Sequence, residues 1–168
     1  LIGGDEEKVY ELAKAADVDV ANLNAPGQIV LSGTMAGIDD AVAKAKDFGI
    51  RRAIKLNVAG AYHSRLMQSA QDKLALELAA LALGTPSIPV VCNYAATPVS
   101  DAAEIRSMLE KQVTGSVRWT ASIQKLIEMG HRNFLELGPG KVIAGLVSKI
   151  DKDCVVHSVE DLPSLEST

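Results

Sequence analysis

Aromatic residues are scarce in this sequence, 4% with a single tryptophan, so any core must be aliphatic. Cysteine is scarce too. Cys92 and Cys154 stand apart, with neither the CxxC spacing of a zinc site nor the density of a disulfide framework, which points to a reducing, cytoplasmic setting. The histidines have no partners at metal-ligand spacing, so no metal is expected. Basic residues do not dominate: 17 Lys and Arg face 21 Asp and Glu, a net charge of −4, which excludes the basic stripe of a nucleic-acid binder. The apolar stretch around Ala79–Leu83 falls far short of the roughly 20 residues of a membrane-spanning helix. No basic-then-apolar leader is expected, and no GxSxG nucleophile elbow occurs. What remains is a chain of 168 residues, 48% apolar and 23% charged, the ordinary balance of a folded protein. Its size suits one domain, or one domain with a small one attached.

Local patterning predicts a mixed α/β protein. Asp5–Ala16 is a helix with acids at its positive end and Val9, Leu12, Ala13 and Ala16 on one face. Val18–Leu23 and Gln28–Ser32 are strands around a Pro26-Gly27 turn. Ala36–Phe48 is a helix capped by Gly49. The alternation in Arg51–Val58 predicts another strand. Beyond a Gly60–Ser64 loop, the spacing predicts a long helix over Arg65–Leu83, a buried strand over Ile88–Cys92, and helices over Ala102–Gln112 and Thr120–Met129. Strand Asn133–Leu137, helix Val142–Ile150 and strand Val155–Val159 follow, with a polar, fraying tail from Leu162.

Two units are expected. Residues 1–58 run helix, strand, strand, helix, strand, which is a ferredoxin-like split βαβ arrangement lacking its first strand, with Leu1 and Ile2 as the end of that strand. That strand belongs between the third and fourth, so its loss leaves two edges to cover. Residues 59–168 alternate helices and strands as an α/β layer does.

Among chemistry-bearing residues His63 stands out, in a loop where a side chain can reach a cleft. Imidazole titrates near neutrality and can take a proton from a nucleophile and return it to a leaving group. The alternative is a structural histidine at a helix entry. Ser64 fits an N-cap better than a nucleophile. Asn22, Asn24 and Gln28 cluster at the Pro-Gly turn, where carboxamides either bind an acyl or pantetheine group or bond their own backbone. Gly138-Pro139-Gly140 before a helix is a weak anion-binding signal.

Five segments, in order, carry a family resemblance: Asn22-Leu23-Asn24-Ala25-Pro26-Gly27-Gln28; Gly60-Ala61-Tyr62-His63-Ser64 with Leu66-Met67; Pro89-Val90-Val91 with Asn93; Val117-Arg118-Trp119; and Glu136-Leu137-Gly138-Pro139-Gly140-Lys141-Val142. Together they resemble the malonyl-CoA:acyl carrier protein transacylase family, over essentially the whole chain. The resemblance implies a truncated acyltransferase fold: an incomplete ferredoxin-like small subdomain, 1–58, and the C-terminal part of an α/β-hydrolase-like large subdomain, 59–168. It implies ping-pong transfer of malonyl from coenzyme A, through a serine ester, to the phosphopantetheine thiol of acyl carrier protein, with no cofactor. His63 is then the general base, the main-chain carbonyl of Met129 fixes its tautomer, and Asn22, Asn24 and Gln28 line the cleft. Tyr62, where malonyl-selective members have Phe, favours malonyl over branched acyl groups. The family's Gly-His-Ser-Leu-Gly elbow, its carboxylate-binding arginine and its oxyanion glutamine are absent from this sequence. The expectation is therefore an inactive chain whose partners are malonyl-CoA, acyl carrier protein and an N-terminal half of the same enzyme. The alternatives are a non-catalytic ferredoxin-like binding module and an acyltransferase domain of a polyketide synthase.

Overall fold

The computed structural model describes residues 1–166. The elements are α1 (Glu6–Ala15), β1 (Asp19–Ala25), β2 (Gln28–Ser32), α2 (Met35–Lys44), a 3-10 turn (Arg65–Met67) leading into α3 (Gln68–Ala80), β3 (Val90–Val91), β4 (Pro98–Val99), α4 (Ala102–Lys111), α5 (Trp119–Glu128), β5 (Asn133–Leu137), α6 (Val142–Ile150), β6 (Val155–Val159) and α7 (Leu162–Glu166). No helix among the described residues is long and apolar enough to cross a membrane.

The first core is built by α1, α2 and the β1–β2 hairpin. Val9, Leu12 and Ala13 recur at helical spacing on α1 and are buried with Val18, Val20, Ile29, Ala41 and Ile50. The hairpin turns at Gly27, whose φ of 70° lies in the left-handed region that glycine enters without strain. Thr34 caps α2, its Oγ1 accepting from the Gly37 amide at 3.1 Å.

Residues 1–3 lie where the first strand of the ferredoxin-like order belongs. Leu1 and Ile29 exchange main-chain bonds at 2.7 and 3.2 Å on one side. Ile2 and Arg52 exchange bonds at 2.8 and 3.0 Å on the other. The strand expected over Arg51–Val58 reduces to this one bridge. An edge strand persists only while a neighbour supplies hydrogen bonds, and among the described residues none pairs with the chain beyond Arg52. Beyond Arg52 the chain is irregular, leaving Ile54, Leu56 and Val58 exposed.

The second core joins α5, α6 and the parallel pair β5–β6 through Ile123, Val147 and Cys154, with Trp119, Leu126, Phe134, Ile143 and Val156 packed around them. One face of the pair is covered. On the other, Leu135 and Leu137 are 55% and 73% exposed. Parallel strands normally have both faces covered, so this layer is open on one side. The buried strand expected at Ile88–Cys92 also differs: only Val90–Val91 pair, with β4, and Ile88 is 73% exposed, with no cover among the described residues. The tail forms α7, its start held by a 2.9 Å bond from the Ser164 amide to the Asp161 carboxylate; residues 167 and 168 of the expected fraying tail lie outside the described residues.

The two cores meet along β1. Its free edge is stitched to residues 116–120 by Val117 N to Ala21 O at 2.8 Å, Leu23 N to Val117 O at 2.9 Å, Ser116 Oγ to Val20 O at 2.5 Å and Thr120 Oγ1 to Leu23 O at 3.1 Å.

Candidate active site

A cleft of about 670 Å³ opens between the β1–β2 hairpin, α2 and residues 54–62. Its walls are mostly aliphatic, with Asn22, Asn24, Gln28 and Tyr62 among the few polar groups. A strand sends residues two apart to the same side, which is how Asn22 and Asn24 share the cleft. Among the described residues neither carboxamide has a protein hydrogen-bond partner. Gln28 is held from outside: its Oε1 accepts from Lys149 Nζ of α6 at 2.8 Å. An ammonium only donates, so the oxygen is committed to Lys149 and the NH₂ is the end left over.

His63 follows Tyr62 and the cleft wall directly, in the left-handed region at φ 56°. Its Nδ1 lies 2.8 Å from Gln112 O and 3.2 Å from Gly115 O. Carbonyls only accept, so Nδ1 carries the hydrogen and the neutral ring keeps its lone pair on Nε2, the form a general base requires. Met129, the expected source of that carbonyl, is not the one used. Met129 caps the end of α5, whereas the chain leaving α4 curls its last, unpaired carbonyls toward the imidazole. Gln112 and Gly115 are thus the residues that sequence reasoning missed; the cue was a glycine just past a helix end.

Ser64 is fully buried, its Oγ donating to Ala61 O at 2.6 Å and accepting from the Leu66 amide at 3.3 Å, so it caps the 3-10 turn and has no spare proton path. In the Gly138-Pro139-Gly140 loop the Gly140 amide is taken by an acid of this chain, donating to Glu160 Oε2 at 3.0 Å. Glu136 occupies the head of α6, accepting from Ile143 N at 2.9 Å, Ala144 N at 3.2 Å and Ser158 Oγ at 2.7 Å. The Ser158 hydroxyl and these amides hold its carboxyl below the usual range. Burial, reinforced by Glu104 at Cys92 and Asp151 at Cys154, pushes both thiols up and away from reactive thiolate. No group of three metal-ligating side chains occurs among the described residues.

Residues 3–164 match the acyl transferase domain family. A malonyl CoA-acyl carrier protein transacylase of Bacillus subtilis is 42% identical over 149 residues, covering 89% of this chain and 47% of that protein. An acyl carrier protein S-malonyltransferase structure from Vibrio cholerae superposes with a TM-score of 0.94 at 34% identity, covering 99% of this chain and 56% of that one. A malonyl-transacylase in complex with a type II PKS acyl-carrier protein gives 0.95 at 34% identity, covering 99% and 55%. The chain spans about half the length of the curated relatives it matches. Its mixed α/β architecture is part of the acyltransferase fold, and the chain belongs to the acyl transferase domain family.

Proposed function

We propose that this chain is the half of a malonyl-CoA:acyl carrier protein transacylase that supplies the general base and one wall of the acyl cleft. The observation that carries the reading is the imidazole of His63, with Nδ1 given to the carbonyls of Gln112 and Gly115, one residue along the chain from Tyr62 of the cleft that Asn22 and Asn24 line. The division falls at 1–58, a ferredoxin-like unit, and 59–168, part of the larger acyltransferase unit.

The chemistry runs in two halves. A serine hydroxyl on a complementary segment attacks the malonyl thioester while His63 Nε2 takes its proton. The tetrahedral oxyanion collapses, expels the coenzyme A thiolate, and the imidazolium protonates it. The phosphopantetheine thiol of acyl carrier protein then gives its proton to His63 and attacks the serine ester, and the proton returns to the departing serine. No cofactor is needed. Asn22, Asn24 and the Gln28 amide hydrogen-bond the acyl-thioester arm, and Tyr62 narrows the cleft against α-branched acyl groups. The exposed Leu135, Leu137, Ile88 and Leu76, which are 55, 73, 73 and 74% accessible, support a complementary N-terminal half that covers them. Docking of an acidic carrier on this net-acidic chain calls for a local basic patch, with Arg51, Arg52 and Lys55 or Arg132 and Lys141 as its members. Carrier binding that is insensitive to salt contradicts that patch. A polyketide carrier is a second reading, favoured by the likeness to a transacylase bound to a type II PKS acyl-carrier protein.

Intact mass spectrometry tests the proposal. Incubated alone with malonyl-CoA, the chain stays unmodified. Mixed with a separately produced segment carrying the Gly-His-Ser-Leu-Gly elbow, the segment acquires a malonyl ester that holo-carrier discharges. A stable malonyl adduct on this chain alone, or no ester on the mixed segments once they are shown to associate, overturns the reading.

A further inference from the structure

The junction between β1 and the His63 segment holds a charged cluster that takes no direct part in the proton transfers. Asp19 opens β1, and its Oδ2 accepts from the Arg65 main-chain amide at 3.0 Å while its Oδ1 accepts from Arg65 Nη1 at 3.3 Å. Arg65 Nη2 completes the bridge to Asp17, 2.8 Å from its carbonyl oxygen and 2.7 Å from its carboxylate. The two acids differ. The Asp19 side chain is 28% exposed and the Asp17 side chain 89%, so Asp17 is a surface pair of small consequence and Asp19 the anchor.

The position matters because the 3-10 turn after His63 has orphan amides at its head. Ser64 satisfies Leu66 N through Oγ at 3.3 Å, while the turn's own bond takes Met67 N to the Ser64 carbonyl at 3.0 Å. The first, Arg65 N, is satisfied only from another element, by Asp19. His63 itself sits at φ 56°, a backbone state that persists in a non-glycine residue only where its surroundings over-determine it. Asp19 provides one such restraint, two residues along the chain from the imidazole that the Gln112 and Gly115 carbonyls hold. The strand that bears Asp19 also bears Asn22 and Asn24 and is stitched to Val117 beyond the carbonyl loop, so one strand carries both the carboxylate that holds Arg65 and the carboxamides of the cleft.

We propose that Asp19 is a positioning residue for His63: by capping the Arg65 amide it holds the backbone at position 63 so that Nδ1 meets the Gln112 and Gly115 carbonyls and Nε2 stays free. Its consequence for turnover rests on the reading of His63 as the base; the positioning itself does not.

Nitrogen NMR of the imidazole in the ¹⁵N-labelled chain, with His63→Ala to assign the signal, reads the tautomer directly. The wild-type ring shows the Nδ1–H form. Asp19→Ala loses that preference and gives a mixture of the two neutral tautomers, with the fold checked by far-UV circular dichroism. Asp19→Asn, whose oxygen still accepts from an amide, restores the Nδ1–H form, an outcome that a merely structural role of the charge does not produce. Arg65→Ala keeps the capped amide and keeps the tautomer. An unchanged tautomer in folded Asp19→Ala overturns the proposal. So does a wild-type Arg65 amide that exchanges with solvent as fast as an open loop, a measurement that stands even where Asp19→Ala does not fold. If His63→Ala retains turnover in the reassembled enzyme while the tautomer responds to Asp19, the base reading fails and the positioning survives; the converse pattern separates them the other way.

Discussion

A methyl group at Gly115 is the sharpest structural perturbation available near the imidazole. A Cβ built there meets the Tyr94 ring at Cδ2 and Cε2 and lies 2.8 Å from the Lys111 carbonyl oxygen. The ring can swing, since Tyr94 is 38% exposed, but a main-chain oxygen at the end of α4 moves only if the loop moves. Overpacking of this kind costs about 1–3 kcal/mol. For a domain of this size each kcal/mol lowers Tm by roughly 2–4 °C, so Gly115→Ala loses about 2–12 °C. The control is Gly145→Ala. Gly145 lies inside α6 with nothing among the described residues within 4 Å of a built Cβ, so alanine there gains about 0.5–1 kcal/mol of helix propensity. Thermal and urea unfolding followed by the single Trp119, which packs into the second core, reads both variants. In the same Gly115→Ala sample the His63 nitrogen spectrum drifts from the Nδ1–H form, because the displaced loop carries both carbonyl acceptors. A Gly115→Ala chain as stable as wild type, with an unchanged imidazole, refutes the packing described for that loop.

Further expectations follow the same geometry. Leu12→Ala empties a fully buried site in the first core and costs about 2–5 kcal/mol in urea denaturation, and a loss under 1 kcal/mol contradicts that core. The folded-state carboxyl of Glu136 is held low by Ser158 Oγ and the Ile143 and Ala144 amides, so its stabilisation is full at neutral pH and lost as pH falls through that lowered value. Glu136→Gln therefore flattens the acid side of the stability profile, and unaltered acid sensitivity counts against the bonds. Asn24→Ala leaves the urea midpoint unchanged, since it breaks no protein bond, yet weakens malonyl-CoA binding to the reassembled enzyme by about 2–10-fold, the value of one net hydrogen bond.

Elements whose formation is local were the ones legible in the sequence. β5, α6 and β6 begin and end at the residues their periodicity marks, because a Gly-Pro-Gly break and alternating apolar faces leave little choice of register. The Arg51–Val58 strand was not legible in that sense: alternation states which face a strand would bury, but pairing needs a neighbour, and residues 1–3 supply one only as far as Arg52. Ile88–Cys92 failed for the related reason that an apolar run predicts burial without naming what covers it. At the site, Asn22, Asn24, Gln28 and Tyr62 were legible as side chains and do share one cleft. The carbonyl partner of His63 was not. Every residue has a carbonyl, so only the path of the chain between α4 and α5 selects Gln112 and Gly115 over Met129. Asp19 and Lys149 escaped notice because acids and lysines at element ends are ordinarily solvated, and only the tertiary fold brings them to Arg65 and Gln28.

The measurement closest to the central claim is the rate at which malonyl reaches holo-acyl carrier protein when this chain, wild type or His63→Ala, is combined with the serine-bearing segment. Removal of a positioned general base lowers that rate by roughly 10²–10⁴-fold while leaving association of the segments intact. Equal rates for the two chains contradict the assignment of His63 as the base.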